Sequence, residues 1–240
     1  METVILEAGS PEQIRSAVTR AADLLRCGQV VALPTETVYG LAASASDPTA
    51  CAAVFEAKER PELDPLIVHV SGKEMLETVA DVPADTADAV HHLIHEFWPG
   101  PLTFVLPKTA AVPDIVTAGL DTVAVRCSNH PVFKAVIKEL KTPIAAPSAN
   151  RFGSISPTSS SAVMTELSGR IPLIIDSGAC SSGMESTIIR VEASGKPKPF
   201  IHLLRPGPVT VEMLKKFGKV IAAGQLSPPD GKPEAPGQLS

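Results

Sequence analysis

Lys58 and Arg60 stand two residues apart, and His69 follows inside the apolar run Leu66–Val70. Arginine offers a planar fork of donors and lysine a point charge, so such a pair can clamp a phosphate or a carboxylate. On extended chain the two cations share one face. Asp64 opens the segment Asp64-Pro-Leu-Ile-Val-His69. Upstream, Leu33-Pro-Thr-Glu-Thr-Val-Tyr-Gly-Leu41 sets two hydroxyls, a carboxylate and the chain's single tyrosine between a proline and a glycine. It reads equally as a ligand-binding turn at a strand end or as a polar loop capping a helix. A lone strand histidine is more often a satisfied core residue, but the nearby Lys58 and Arg60 favour a site for His69.

Arg126 ends the apolar run Val123-Ala-Val-Arg126 and needs an anionic partner, from the protein or from a ligand. Ala146-Pro-Ser-Ala-Asn150 runs into a Gly/Ser/Thr-rich stretch, Arg151 to Thr158. Small residues there let backbone N–H groups approach phosphate, although neither GxxxxGK[ST] nor GxGxxG occurs. Trp98-Pro-Gly-Pro101 is a rigid turn, either punctuation or a pocket wall. Asp176-Ser-Gly178, Gly183-Met-Glu-Ser-Thr-Ile-Ile189 and Leu204-Arg-Pro-Gly207 each put polar groups beside a turn residue. Taken together, these segments and Arg60, Arg126 and Arg205 suggest one anion-binding pocket.

The elements that must position these groups alternate. Strands are expected at Val4–Leu6, Val30–Leu33, Leu66–Val70, Leu102–Leu106, Thr122–Arg126, Ile144–Ala146, Leu173–Asp176, Ser186–Val191 and Ile201–Leu204. A first helix starts at the cap Ser10 and Pro11. It carries Ile14, Ala17, Val18, Ala21, Leu24 and Leu25 at helical spacing and closes at Gly28. Further helices are expected from Asp47-Pro48 and at Lys73–Val79, Ala84–Phe97, Pro131–Leu140, Ser160–Leu167 and Val211–Phe217. Some strands follow one another directly, which predicts an α/β fold with a mixed twisted sheet and helices packed on it.

A hydrophobic content of 44% in 240 residues supports a sizeable core, built from aliphatic residues because aromatics are 4%. The net charge of −5 argues against holding nucleic acid by its backbone. The four cysteines show no ligand spacing, which argues against zinc and for a reducing compartment. The start lacks a signal-peptide pattern and no apolar stretch is long enough to span a bilayer, so a cytoplasmic location without membrane contact is expected. Residues 1–222 form the expected catalytic domain. Residues 223–240, rich in Pro and Gly, read as a tail or the start of an interdomain linker.

The ordered set PTETVYGL, KER with DPLIVH, WPGPLTFVL, VAVR, PSAN, SPT, DSG, ESTII and LRPG closely resembles the YrdC-like threonylcarbamoyl-AMP synthases, from about Val4 to Phe217. The resemblance implies a YrdC-like twisted mixed sheet around a concave basic cleft. It implies a nucleotidyltransferase that forms threonylcarbamoyl-AMP (L-threonylcarbamoyladenylate) and pyrophosphate from L-threonine, bicarbonate and ATP. Downstream threonylcarbamoyl transferase machinery then acts on tRNA, yielding N6-threonylcarbamoyladenosine. By motif, Thr37, His69, Arg126, Ser148 and Ser186 match the L-threonine contacts. Lys58, Arg60, Asp64, Thr122, Asn150, Ser156 and Arg205 match the ATP side, with Lys58 and Arg60 catalytic. Mg²⁺ would accompany ATP, with no protein metal site. The family usually has asparagine where this chain has Asp64. Pro233-Glu-Ala-Pro-Gly237 resembles the start of the linker that helps close the site in longer members.

Three other readings compete. One is a double-stranded RNA-binding module, the cleft holding RNA directly. Another is the carbamoyl-adenylate-forming part of a carbamoyltransferase, a protein with further zinc-finger and acylphosphatase-like regions that these residues do not resemble. The third is a structural α/β partner protein.

Overall fold

The first helix illustrates how local sequence sets the elements. In a computed structural model describing residues 1–196, 198–222 and 235–237, helix α1 spans Pro11–Arg26. Ser10 accepts from Gln13 N–H and the Gln13 side chain returns a bond to Ser10 N–H, a reciprocal cap. Its inner face, Ala17, Val18, Ala21, Leu24 and Leu25, is buried.

The strands are β1 (Val4–Glu7), β2 (Val31–Leu33), β3 (Gly40–Ser44), β4 (Ile67–His69), β5 (Leu102–Pro107), β6 (Thr122–Arg126), β7 (Ile144–Ala145), β8 (Leu173–Asp176), β9 (Thr187–Glu192), β10 (Phe200–Arg205) and β11 (Lys219–Ala222). The other helices are α2 (Pro48–Lys58), α3 (Lys73–Val79), α4 (Ala87–Phe97), α5 (Asp114–Thr117), α6 (Pro131–Leu140), α7 (Ser160–Leu167) and α8 (Val211–Leu214). They form one sheet in the order β1-β8-β2-β3-β7-β4-β6-β5-β9-β10-β11. Parallel and antiparallel neighbours are both present, β4 beside β6 being parallel and β5 beside β6 antiparallel. The expected mixed α/β sheet is therefore the observed one.

Several boundaries differ from expectation. β3 and β11 were not expected, nor was the short α5. β3 starts inside the motif that read as a loop, because Gly40, Leu41 and Ala42 pair with Leu33, Ala32 and Val31 of β2. The last helix stops at Leu214 rather than Phe217, and α4 starts at Ala87 rather than Ala84. Most of the tail expected at 223–240 lies outside the described residues.

Alternation of side chains across the sheet divides the core. Val31, Leu33, Leu173 and Ile175 point to the face covered by α1 and α6, whereas Ala32 and Ile174 belong to the larger cluster on the other face. The face under α1 and α6 continues across β4, β6, β5, β9 and β10. There Ile67, Ala124, Val105, Ile188 and Leu204 form a third buried cluster, closed by Ala235. Ala235 is fully buried, so this part of the expected tail packs on the sheet. Among the described residues no helix is long and apolar enough to cross a membrane.

Candidate active site

Strand register lays a line of side chains across that continued face. His69 of β4 is opposite Arg126 of β6, Arg126 is opposite Thr103 of β5, Thr103 is opposite Ile188 of β9, and Ile188 is opposite Arg205 of β10. Two residues along β4, β6 and β5 the neighbours are apolar: Ile67, Ala124 and Val105 occupy the adjacent line. The period-2 pleat thus puts a row that is polar except at Ile188 beside an apolar floor. A pocket of about 50 Å³ opens over it, lined by Thr35, Thr37, His69, Arg60, Arg126, Ser148, Glu185, Ser186 and Arg205 among others.

At one end, the 35–38 turn is folded by Thr35, whose hydroxyl accepts from Thr37 and Val38 N–H. Two bonds, Leu41 N–H to Pro147 O and Ala149 N–H to Tyr39 O, lace this segment to the one carrying Ser148. Arg126 donates to Thr37 Oγ1 at 2.9 Å and, through Nε, to Gly100 O at 3.2 Å. Its Nη2 lies 2.7 Å from Glu36 Oε1, but off the N–H direction, so the pair is an ion contact rather than an aligned hydrogen bond. Burial alone would raise the Glu36 carboxyl. The Arg126 charge and the Ser128 hydroxyl, 2.5 Å from Oε2, hold it below the usual carboxylate range instead.

His69 is 3% exposed and packs its ring on Phe133 of α6, centroids 4.7 Å apart. Both ring nitrogens are buried with the backbone of Ile67 and Ile144 beside them, and neither makes an aligned hydrogen bond among the described residues. Burial, with Arg126 beside it, pushes its pKa down to about 3. A neutral imidazole with open nitrogens in a polar row is poised for a ligand, since such atoms are otherwise costly to bury.

At the other end, Arg205 donates through Nε to Ser186 O and through Nη2 to Ser186 Oγ, both at 3.1 Å, and pairs with Glu185 through Nη1. Ser186 Oγ is also 2.7 Å from Thr103 Oγ1. Burial would raise Glu185, but Arg205 and the Ser156 hydroxyl keep it low. Gly207 lets these chains meet: a Cβ there would lie 2.4 Å from Thr187 N and 2.6 Å from Glu185 O. Arg60 pairs with Asp64 at 2.8 Å, and Asp64 Oδ1 accepts from Gly237 N–H at 3.0 Å. Burial pushes the Asp64 carboxyl up and the Arg60 guanidinium down, the mark of a desolvated pair.

The expected residues therefore divide. Thr37, His69, Arg126, Ser148, Ser186, Arg60 and Arg205 line one pocket. Lys58 does not share a face with Arg60, because α2 extends through Lys58 and Glu59 turns left-handed at φ 53°. Its ammonium, 1% exposed, donates instead to Ser148 O at 2.6 Å and Asn150 O at 2.5 Å. Burial, then Arg60, lowers its pKa to about 7. Asn150 holds its own loop through Arg151 O and Ser154 O, with Oδ1 buried and unpartnered among the described residues. Ser156 donates to Glu185. Thr122 begins β6, roughly 13 Å along the strand from Arg126, and does not line the pocket. Glu36, Thr103, Ser128 and Glu185 were not expected; a threonine inside the otherwise apolar Leu102–Leu106 run was the one local signal.

These features define an α/β protein with a mixed sheet and a two-ended pocket whose arginines each meet a carboxylate. The chain belongs to the Sua5/YciO/YrdC family: the family model Sua5_yciO_yrdC, described as "Telomere recombination", matches residues 23–207. It is 46% identical over 196 residues to a threonylcarbamoyl-AMP synthase of Pyrococcus abyssi, covering 82% of this chain and 55% of that protein. It is 44% identical over 222 residues to the Bacillus subtilis protein of the same name, covering 92% of this chain and 62% of that one. A crystal structure of P. abyssi Sua5 complexed with L-threonine superposes with a TM-score of 0.84 at 41% identity, over 98% of this chain and 67% of that one. The chain thus spans somewhat over half the length of these curated relatives.

Proposed function

We propose that the protein is an L-threonylcarbamoyladenylate synthase, making threonylcarbamoyl-AMP and pyrophosphate from L-threonine, bicarbonate and ATP. The single observation that carries this reading is the row His69–Arg126–Thr103–Ile188–Arg205, a neutral imidazole beside one arginine and a second arginine three strands away. The names of the relatives and the threonine complex of P. abyssi Sua5 support it. In this reading Arg126 pairs with the threonine carboxylate, with Thr37, His69, Ser148 and Ser186 around the amino acid. Arg60 and Arg205 face the phosphates, with Asp64, Asn150, Ser156 and Thr122 on the same ATP side. Lys58, proposed as catalytic with Arg60, acts through the Ser148–Asn150 loop that its ammonium holds.

The chemistry needs the neutral amine. Its nitrogen attacks bicarbonate carbon, a C–N bond forms, the C–OH bond breaks, and the departing hydroxide takes the proton from nitrogen to leave as water. The carbamate oxygen then attacks the α-phosphorus in line and pyrophosphate departs. His69, held neutral, accepts or donates a hydrogen bond without adding a charge that would repel the ammonium form on entry. Arg60 and Arg205 stabilise charge that develops on the phosphate oxygens. Exclusion of water from the pocket by the bound ligands would limit hydrolysis of the carbamate. Mg²⁺ would come with ATP and screen its phosphates; Asp64 and Glu185 are the carboxylates on that side, and each is already paired with an arginine. A cytoplasmic location, and delivery of the adenylate to transferase machinery acting on tRNA, go with this reading.

The test is adenylate formation by the purified chain, followed by mass spectrometry. Product that requires ATP, L-threonine and bicarbonate together supports the reading, and adenylate made without threonine or without bicarbonate sinks it.

A further inference from the structure

Two constructions in the pocket repeat each other on unrelated segments. In the first, Ser128 Oγ donates to Glu36, Glu36 contacts Arg126 Nη2, and Arg126 reaches the Thr37 hydroxyl through Nη1 and a backbone carbonyl, Gly100 O, through Nε. In the second, Ser156 Oγ donates to Glu185, Glu185 pairs with Arg205 Nη1, and Arg205 reaches the Ser186 hydroxyl through Nη2 and a backbone carbonyl, Ser186 O, through Nε. Each unit is serine, glutamate, arginine, hydroxyl and carbonyl in the same order. We propose that Glu36 and Glu185 are positioning residues that separately aim Arg126 and Arg205, one for each of two ligands. The inference rests on the reading above, in which Arg126 takes the amino acid and Arg205 the nucleotide.

A guanidinium carries five N–H groups. Among the described residues, Arg205 is engaged through Nε and one N–H on each terminal nitrogen, whereas Arg126 is hydrogen-bonded through Nε and Nη1 and meets Glu36 at Nη2 as an ion contact. At least one N–H on each terminal nitrogen is left in both, which is what a bidentate oxyanion takes. Both arginines line the pocket, as does Glu185, whereas Glu36 does not. Glu36 therefore contacts Arg126 from outside the pocket wall, and its carboxylate does not occupy the place of a ligand. Both glutamates are held ionised against burial by their own arginine and serine. A side chain needed only for packing gains nothing from that arrangement, because a buried ion pair is often no more stable than an apolar replacement.

The test is steady-state adenylate synthesis by the full chain, varying L-threonine and ATP in turn. Glu36→Gln is expected to raise the KM for L-threonine about tenfold, the effect of one charge-assisted bond, with the KM for ATP within about twofold. Glu185→Gln is expected to do the reverse. Ser128→Ala and Ser156→Ala, which leave both ion pairs in place, should shift the same constants in the same crossed pattern by a smaller factor. They keep the test available should a Gln variant fail to fold. A crossed pattern supports the assignment. Equal shifts in both constants, or a fall in kcat alone, overturn it. A wild-type chain that makes no adenylate would count against the function and not against the glutamates, which calorimetric titration with L-threonine and with ATP would then judge by the same crossed pattern.

Discussion

Asp64 and Gly237 lie 173 residues apart in sequence and are joined by one hydrogen bond, Gly237 N–H to Asp64 Oδ1 at 3.0 Å. The same carboxylate holds Arg60 at 2.8 Å. Gly237 has φ +75°, and a Cβ there would stand 3.2 Å from Arg205 Nη1. A stretch that read as tail is thus part of the pocket wall and touches two of its cation-bearing corners.

Asp64→Asn keeps the acceptor for Gly237 and removes a charge next to Arg60. ATP should bind severalfold more tightly, an effect of about 1 kcal/mol. Burial raises the Asp64 carboxyl, so in the folded state it holds its proton to higher pH than in the unfolded chain. The ionised group therefore costs stability, and that cost grows as pH rises through the folded value. The melting temperature of Asp64→Asn relative to wild type should increase over the same interval. Weaker ATP binding by the variant would show that the charge helps to hold the nucleotide.

His69 should stay neutral well into acid. Its folded pKa of about 3 lies below the ordinary 6.5. The unfolded chain takes up a proton first, so stability falls as pH drops from about 6.5 towards 3. Long-range nitrogen–proton NMR at pH 5 should find the ring uncharged, and L-threonine should shift its nitrogen resonances. A charged ring at pH 5, or resonances blind to threonine, contradicts the account of this residue.

Lys58 titrates near neutrality because it is buried, with Arg60 adding to the effect. Between about pH 7 and the ordinary lysine range the unfolded chain binds the extra proton, so folding is favoured increasingly as pH rises. The gap in melting temperature between wild type and Lys58→Met should widen from pH 7 to 9. The ceiling is about 1.4 kcal/mol per pH unit, roughly 3–6 °C for a chain of this size. A gap independent of pH would mean that the ammonium stays charged in the fold.

Gly207→Ala should disrupt the nucleotide end of the pocket without altering any ligand-facing side chain. Its Cβ would collide with backbone of Glu185, Ser186 and Thr187. Overpacking of this kind costs about 1–3 kcal/mol. A lower melting temperature and a raised KM for ATP are expected; a variant indistinguishable from wild type in both would show that the two chains can separate freely.

Which parts of the pocket were readable in sequence follows from how each residue is placed. Arg126 ends an apolar run, where a charge stands out by itself, whereas His69 lies inside one and was readable only through the nearby Lys58 and Arg60. α1 was readable because its cap and its apolar stripe are local. Lys58 misled because its direction depends on where α2 stops and on the left-handed Glu59, one residue on. Glu36 and Glu185 lay inside quoted motifs, but an acid shows its partner only once the sheet has brought it there. β3 escaped notice because Gly40 to Ser44, apart from Leu41, are small residues without alternation, and pairing with β2 and β7 rather than propensity makes them a strand.

The transverse row also bears on how the molecule reaches its native state. Its members come from Thr103, Arg126 and Ile188 as well as from His69 and Arg205, and the turn that completes the wall arrives only at residues 235–237. Loops of such length must close before any of these contacts is gained, and topologies dominated by distant pairings fold slowly. The pocket therefore matures late in folding, after local units such as the capped α1 are in place. Ligand binding during renaturation should accordingly return after helical signal does, making recovered affinity a clock for the docking of residues 235–237 against the sheet.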